Sequence, residues 1–334
     1  MANKVVCLGE IMLRLSTPNS LRIVQADALD VQYGGSEANV AVSLAGFGFD
    51  SYFVSKLPAN ELGQAAVNHL RRHGVNTDHI IRGGDRLGVY FLEVGFSQRP
   101  SKVVYDRAGS AISVALPEEF DWDAIFQDCS WFHFTGITPA LSSEARALTL
   151  EALHRARSHG CTVSCDINFR QKLWSLEQAR DAMTELMQFV DVYIGNEQHA
   201  EDILGVVSRF EGEKGYIDSA EQLIEAYGLK SVAMTQRDGQ SASTQKWAGI
   251  FFDGQQLYTS REYEIEVVDR VGGGDAFAAG LISSLIGGKG PQEALDFAVA
   301  ASCLKHSIVG DCNLVSVDEV EALVAGGDSG RVQR

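Results

Sequence analysis

Six short apolar or β-branched runs, separated by longer segments of helical period, constrain this chain more than any other feature. VVCLG (5–9), SYFVS (51–55), WFHFTG (131–136), CTVSCDI (161–167), VDVYIG (190–195) and SVAMT (231–235) all have strand length. Between them lie segments such as SEARALTLEALHRARSHG (143–160) and LEQARDAMTELMQFV (176–190), which carry apolar residues at helical spacing. Strands that are apolar throughout have no face to give to water, so they belong in a parallel sheet covered by helices on both sides. The expected fold is α/β, a doubly wound, mostly parallel sheet flanked by helices. At 334 residues two average domains are possible, but α/β sheets of this length often form one. We expect one domain over 1–325 and a frayed tail over 326–334.

Two stretches break the alternation. Residues 11–33 and 86–107, the latter containing RLGVYFLEVG and SKVVYDRAG, read as extended with no helix between their strands. They predict a small β appendage built from two excursions of the chain and lying over one edge of the main sheet. A third excursion, 243–265, predicts a hairpin turning at Asp253-Gly254. The formal net charge of −16 argues against a nucleic-acid partner. No apolar run approaches the ~20 residues of a membrane span, and the six scattered cysteines form no CxxC pair. The expectation is a cytoplasmic protein with reduced core thiols.

The chemistry concentrates at VVDRVGGGDAFAAGL (267–281). A helix N-terminus leaves N–H groups unpaired and partly positive, which suits phosphate, and glycines allow close approach to the backbone. Asp275 in that first turn would repel a phosphate unless it served as a base. Phosphoryl transfer unites the two: a carboxylate takes a hydroxyl proton while amides stabilise the migrating group. Neither GxxxxGK[ST] nor GxGxxG occurs here. The alternative, an ordinary helix-start acid behind a loose loop, stays open on this motif alone. A second motif, YGGSEANVAVSLAGFG (33–48), places Gly34-Gly35 at a tight turn, Ser36 as a plausible N-cap, and Asn39 in the first helical turn.

Together, GGSEANVAVSLAGFG and DRVGGGDAFAAGL resemble the two signatures of the ribokinase-like (PfkB-type) carbohydrate kinases, and the likeness spans nearly the whole chain. It implies the ribokinase-like α/β fold with the β appendage as a lid over the sugar. Asp275 matches the catalytic base, and Gly272, Gly273 and Gly274 match the anion hole, with Gly273 where alanine is more usual. Asp269 matches an acid that in many members helps to hold a monovalent cation such as K⁺. Asn196 and Glu197 fall where the family carries Asn-x-x-Glu to position Mg²⁺, but the fourth position is His199, a poor partner for Mg²⁺. His199 is expected to be a surface helix residue, with Glu197 or Glu201 compensating. For ATP the likeness points to Asn196, Thr235, Arg237, Ser243 and Asn313.

Two arginines narrow the acceptor. Tyr105 and Arg107, two apart on a strand, share a face, while Asp166, Asn168 and Arg170 follow another strand's carboxyl end, where open sheets bind ligands. A planar guanidinium fork suits a carboxylate, so arginines converging from lid and sheet would select an acid sugar. YDRAGSA, FHFTGITPAL and DINFRQKLW resemble the 2-keto-3-deoxygluconate kinase branch, which implies acceptor contacts from Gly34, Tyr90, Tyr105, Arg107 and Arg170; Gly35, Asn39, Asp166 and Asn168 join them as candidates from their places at the helix turn and strand end. The implied reaction is ATP-dependent phosphorylation of the 6-hydroxyl. Other readings are a kinase of 5-keto-2-deoxygluconate, fructose or ribose, a non-catalytic sugar-binding protein, and a dinucleotide oxidoreductase lacking its usual fingerprint. By analogy the lids would pair in a homodimer or higher homo-oligomer. His133 is expected in the core, without a role.

Overall fold

The computed structural model describes residues 3–239 and 241–326, so the expected tail lies outside the described residues except for Gly326. Its strands are β1 (Lys4–Leu8), β2 (Met12–Ser16), β3 (Asp30–Gly34), β4 (Asp50–Leu57), β5 (Ile80–Arg82), β6 (Val89–Glu93) and β7 (Lys102–Asp106). They continue as β8 (Cys129–Thr135), β9 (Thr162–Asp166), β10 (Val192–Gly195), β11 (Ser231–Gly239), β12 (Thr244–Phe252), β13 (Leu257–Thr259) and β14 (Tyr263–Glu266). All six apolar runs are strands of one sheet, ordered β13-β12-β11-β10-β9-β8-β1-β4-β5, with β14 also on β12. From β5 to β11 every pairing is parallel; β12 and its partners are antiparallel. Chain order reverses between β1 and β8, and the crevice at such a switch point is where the carboxyl ends of strands leave room for a ligand.

Both faces of the sheet are dry. In β1, Val6 and Leu8 join one buried cluster with Phe132 and Phe134, while Val5 and Cys7 join another with Phe53 and Trp131. This is the two-residue alternation of a strand with apolar side chains on each face. Five of the six cysteines are buried, and Cys303 is half-buried. His133 is buried in the core beside Ser164, and burial lowers its pKa to about 3. No helix among the described residues is long and apolar enough to cross a membrane.

The appendage is a four-stranded sheet, β3-β2-β6-β7. It does not lie over an edge: its Met12, Tyr90 and Tyr105 line the same cavity as Asp166, Gly195 and Thr235 at the carboxyl ends of the main strands. The hairpin turns where expected, and Asp253 Oδ1 accepts from Gln255 N at 2.9 Å and Gln256 N at 2.8 Å. Its first strand is longer than the hairpin needs, because β12 also pairs along the whole of β11. The sequence gives SVAMT as the apolar part of β11; the polar extension to Gly239 is held by pairing with β12 instead.

Candidate active site

Two helices meet at the switch point. The helix Ser36–Gly46 follows β3, and the helix Gly273–Ile286 packs against Pro291–Lys305. A methyl at Gly280 would sit 2.8 Å from Ala298 Cα, so only glycine permits this close helix crossing. The crossing fixes where the first turn of Gly273–Ile286, and with it Asp275, points.

The three glycines have three different reasons. Gly272 is the N-cap at φ 85°, a left-handed conformation that disfavours side chains, and a Cβ there would overlap the carbonyl oxygen of Asp311. A Cβ at Gly273 would stand 2.5 Å from His306 Cε1. The ring that fills the space of the usual alanine is fixed by Nδ1, 2.6 Å from the Ser302 carbonyl, and by Trp247 at a ring-centroid distance of 5.1 Å. Only at Gly274 would a Cβ meet nothing within 4 Å. Packing beneath the turn therefore demands the first two glycines, and the third leaves backbone open to the cavity. The N–H groups of Gly274 and Asp275 have no intrahelical acceptor, as at every helix start.

Asp275 is buried between the helix starts. Ser36 Oγ donates to its Oδ1 at 2.5 Å and Asn39 Nδ2 to its Oδ2 at 2.7 Å. Asn168 Nδ2 in turn donates to Ser36 Oγ at 3.1 Å. Burial raises the Asp275 pKa, and the Asn39 and Ser36 hydrogen bonds oppose that rise. Asn39 thus holds the carboxylate, where an acceptor contact was expected. Gly35, not Ser36, is the N-cap, which leaves the Ser36 hydroxyl free for Asp275. Asp166, at the carboxyl end of β9, has its pKa raised to about 7 by burial and by the nearby Asp275. Glu37 is likewise raised to about 7 by burial, although Thr135 and Thr138 donate to its Oε1.

These groups line a cavity of about 410 Å³, roofed by the small sheet. Tyr105 and Arg107 share the inward face as the strand spacing requires, and the Arg107 guanidinium lies 5.4 Å from the Tyr105 ring centroid. Arg107 is not free: its Nη2 donates to Glu10, which the sequence reading did not find. The pair is incomplete, however, because Arg107 Nε and Glu10 Oε1 are buried without partners. Arg170, Arg237 and Arg270 also line the cavity, and none has an ion-pair partner among the described residues. Tyr90 instead donates to Asp311 Oδ2 at 2.6 Å, and Gly34 lies off the cavity, its missing side chain leaving room for the Asp311 carboxylate. Both residues serve the joint between the small sheet and the turn.

The family whose pattern covers residues 2–316 is the pfkB family carbohydrate kinases. The chain belongs to that family. It is a carbohydrate kinase, transferring a phosphoryl group to an alcohol acceptor. Over 332 residues the kinase is 37% identical to a 2-dehydro-3-deoxygalactonokinase of Haloferax volcanii, covering 99% of each chain. It is 30% identical to a 2-dehydro-3-deoxygluconokinase of Thermoproteus tenax, covering 96% of this chain and 94% of that one. A solved structure of a Thermotoga maritima 2-dehydro-3-deoxygluconokinase superposes with a TM-score of 0.95 at 51% identity, covering 97% and 98% of the two chains.

The expected metal and nucleotide residues of the kinase are only partly brought together. Asn196, Thr235 and Arg237 border both the main cavity and a second cleft of about 590 Å³, where Glu197 and Glu201 lie. Asn196 caps its helix, its Oδ1 accepting from His199 N at 2.8 Å. Asp269, the residue expected at a monovalent cation, is buried against Arg14 at 2.5 Å, and it does not line the cleft that holds Glu197. Among the described residues no three His, Cys, Asp or Glu side chains gather as a metal cage. His199 is no surface residue: it lines the main cavity, and burial with Arg170 nearby lowers its pKa to about 4. Ser243 and Asn313 line neither cleft; Ser243 Oγ accepts from Ser97 N at 2.9 Å, and the buried Asn313 amide has no partner. Glu10, Glu37 and Arg270 escaped the sequence reading, and Ser36 was read only as an N-cap. Ser36, Glu37 and Arg270 sit inside the two motifs, and their polarity among small residues was the available signal.

Proposed function

We propose that the kinase phosphorylates the 6-hydroxyl of 2-keto-3-deoxygluconate with ATP, Asp275 acting as general base. The observation that carries this reading is one carboxylate, oriented by Ser36 and Asn39, at a helix start whose Gly274 backbone opens on the same cavity. A hydroxyl placed against Asp275 loses its proton there as it attacks the terminal phosphorus. The helix-start amides and Arg170, Arg237 and Arg270, which have no ion-pair partner among the described residues, face the charge that develops. The second cleft, with Thr235, Arg237, Glu197 and Glu201, suits the nucleotide. Glu197 or Glu201 in that cleft would hold a Mg²⁺ ion through its waters, and the ion would supply charge neutralisation for the phosphates of ATP.

The acid end of the acceptor has two partners in this reading. Arg170 offers a free fork, and the half-satisfied Arg107–Glu10 pair offers one donor and one acceptor, suited to a carboxylate or keto oxygen beside a hydroxyl. Asp166, poised near neutrality, can donate to a sugar oxygen when protonated. The small sheet then acts as the lid that excludes water, within a single kinase domain. Val104, which alternates with the inward Val103 and Tyr105, is 53% exposed on the lid's outer face, and Val31 is 62% exposed, which supports pairing of two lids in a homodimer.

The test is ADP release with ATP and Mg²⁺ against 2-keto-3-deoxygluconate, its galacto epimer, 5-keto-2-deoxygluconate, fructose and ribose, with Asp275→Asn as control. Turnover confined to the keto-deoxy acids and abolished in the control is expected. A preference for fructose or ribose would overturn the arginine account, and an active Asp275→Asn would overturn the base.

A further inference from the structure

Lys305 ends the helix Pro291–Lys305 and is fully buried, a costly place for an ammonium without compensation. No carboxylate among the described residues lies within ion-pair distance of it. Its Nζ donates instead to two backbone carbonyls, that of Asp269 at 3.1 Å and that of Ile308 at 3.3 Å. A positive centre gripping main-chain oxygens from separate segments is the arrangement that a bound hard cation would adopt.

Its place gives the arrangement meaning. Asp269 precedes the glycine turn by three residues, and a Cβ at Gly272 would stand 3.3 Å from Lys305 Cε. Lys305 therefore lies directly under the turn and ties it to the 305–311 segment. The Asp269 oxygens that could serve a dissociable ion are already taken. Oδ2 accepts from Arg14 Nη2 at 2.5 Å and Gly310 N at 3.0 Å, Oδ1 accepts from Val271 N at 3.1 Å, and the main-chain oxygen faces Lys305. Asp311 is equally committed, to Arg14 at 2.5 Å and Tyr90 at 2.6 Å. Arg14 and Lys305 already stand as the two cations facing Asp269 and Asp311, so a potassium ion would find neither a free oxygen nor an uncompensated carboxylate of that pair. The K⁺ expected at Asp269 does not fit these residues.

We propose that Lys305 is a built-in monovalent cation: its ammonium holds the carbonyls beneath the glycine turn and makes the kinase independent of potassium. The proposal rests on the reading that the turn receives the phosphoryl group. Lys305 is a positioning residue; it touches no substrate and acts by fixing the Gly272–Gly274 backbone. A tethered charge needs no binding step, so the turn is preformed at any cation concentration.

The experiment compares wild type and Lys305→Ala in KCl and in choline chloride at equal ionic strength, which removes differences in screening. Wild-type kcat/KM and melting midpoint should be the same in both salts. Lys305→Ala opens space beside the carbonyls; its melting midpoint should rise in KCl over choline chloride, and its kcat/KM, reduced at least about tenfold, should recover in part with K⁺. Lys305→Met, which fills the space, should show the loss without the recovery. Potassium stimulation of wild type by several-fold would overturn the proposal, as would a Lys305→Ala protein whose melting and activity ignore K⁺. The melting comparison needs no acceptor, so it stands even if the assigned substrate is wrong. Should Lys305→Ala not fold, the wild-type salt comparison alone decides.

Discussion

Gly273→Ala places a methyl group where the His306 ring already stands, 2.5 Å from Cε1 and 2.7 Å from Nε2. Carbon atoms in contact prefer about 3.5–4.0 Å, so turn or ring must move by about 1 Å. The ring cannot simply swing aside, because Ser302 and Trp247 hold it. Overpacking of this kind costs about 1–3 kcal/mol, whereas helix propensity favours alanine over glycine by up to about 1 kcal/mol. The clash should win, lowering the melting midpoint by up to about 4 °C, since a chain of 334 residues shifts only about 1.4 °C per kcal/mol. The same displacement at a catalytic turn should cut kcat by up to about 100-fold. The assay is a double-mutant cycle with His306→Ala, read by thermal melting and by kcat. Once the ring is gone the alanine has room, so the double variant should exceed the sum of the singles by at least about 1 kcal/mol and recover much of its kcat. Additivity to within about 0.5 kcal/mol, or a Gly273→Ala protein as stable and active as wild type, would refute the packing account of this glycine.

Removing either hydrogen bond that favours the charged Asp275, by Asn39→Ala or Ser36→Ala, should raise its pKa further. A base must be ionised to act, so the acid limb of the kcat/KM–pH profile should move to higher pH; an unmoved limb counts against Asp275 as the titrating base. Arg170→Ala should raise KM for keto-deoxy acids by roughly 10–100-fold, the worth of one charge-assisted hydrogen bond, and an unchanged KM in initial-rate assays would remove Arg170 from the acceptor site. Glu37 has a folded-state pKa raised from 4.5 to about 7, so the folded protein binds that proton more tightly than the unfolded chain. Its contribution to stability is therefore lost as pH rises from about 4.5 to about 7. Glu37→Gln should melt higher than wild type at pH 8 and not at pH 4.5; the opposite order in pH-dependent denaturation would show that Glu37 is stabilised as a carboxylate.

Much of the architecture was legible because it depends on pattern. The apolar runs at β1, β4, β8, β9, β10 and β11 could satisfy their faces only inside a covered parallel sheet. The extended stretches between them had no helix to return through and so had to form a second sheet. The two motifs likewise placed Gly274 and Asp275 at one helix start, and the period of β7 put Tyr105 and Arg107 on one face. What stayed hidden was pairing across the chain. Glu10 takes up Arg107 from 97 residues away, and Arg14 takes up Asp269 from 255 residues away. No local period carries such information.

The sequence by itself determined the elements, the sheet and the position of the carboxylate in its helix turn, because those follow from side-chain spacing and backbone chemistry over a few residues. Only the tertiary structure decided which charges are free to act. Arg170, Arg237 and Arg270 are left open to a ligand while Arg14 is consumed inside the protein, since a charge is neutralised by whatever the fold brings within reach. The same holds for GGGD: three identical residues, all lining the cavity, of which Gly272 yields to the Asp311 carbonyl and Gly273 to the His306 ring, while a side chain at Gly274 would meet nothing.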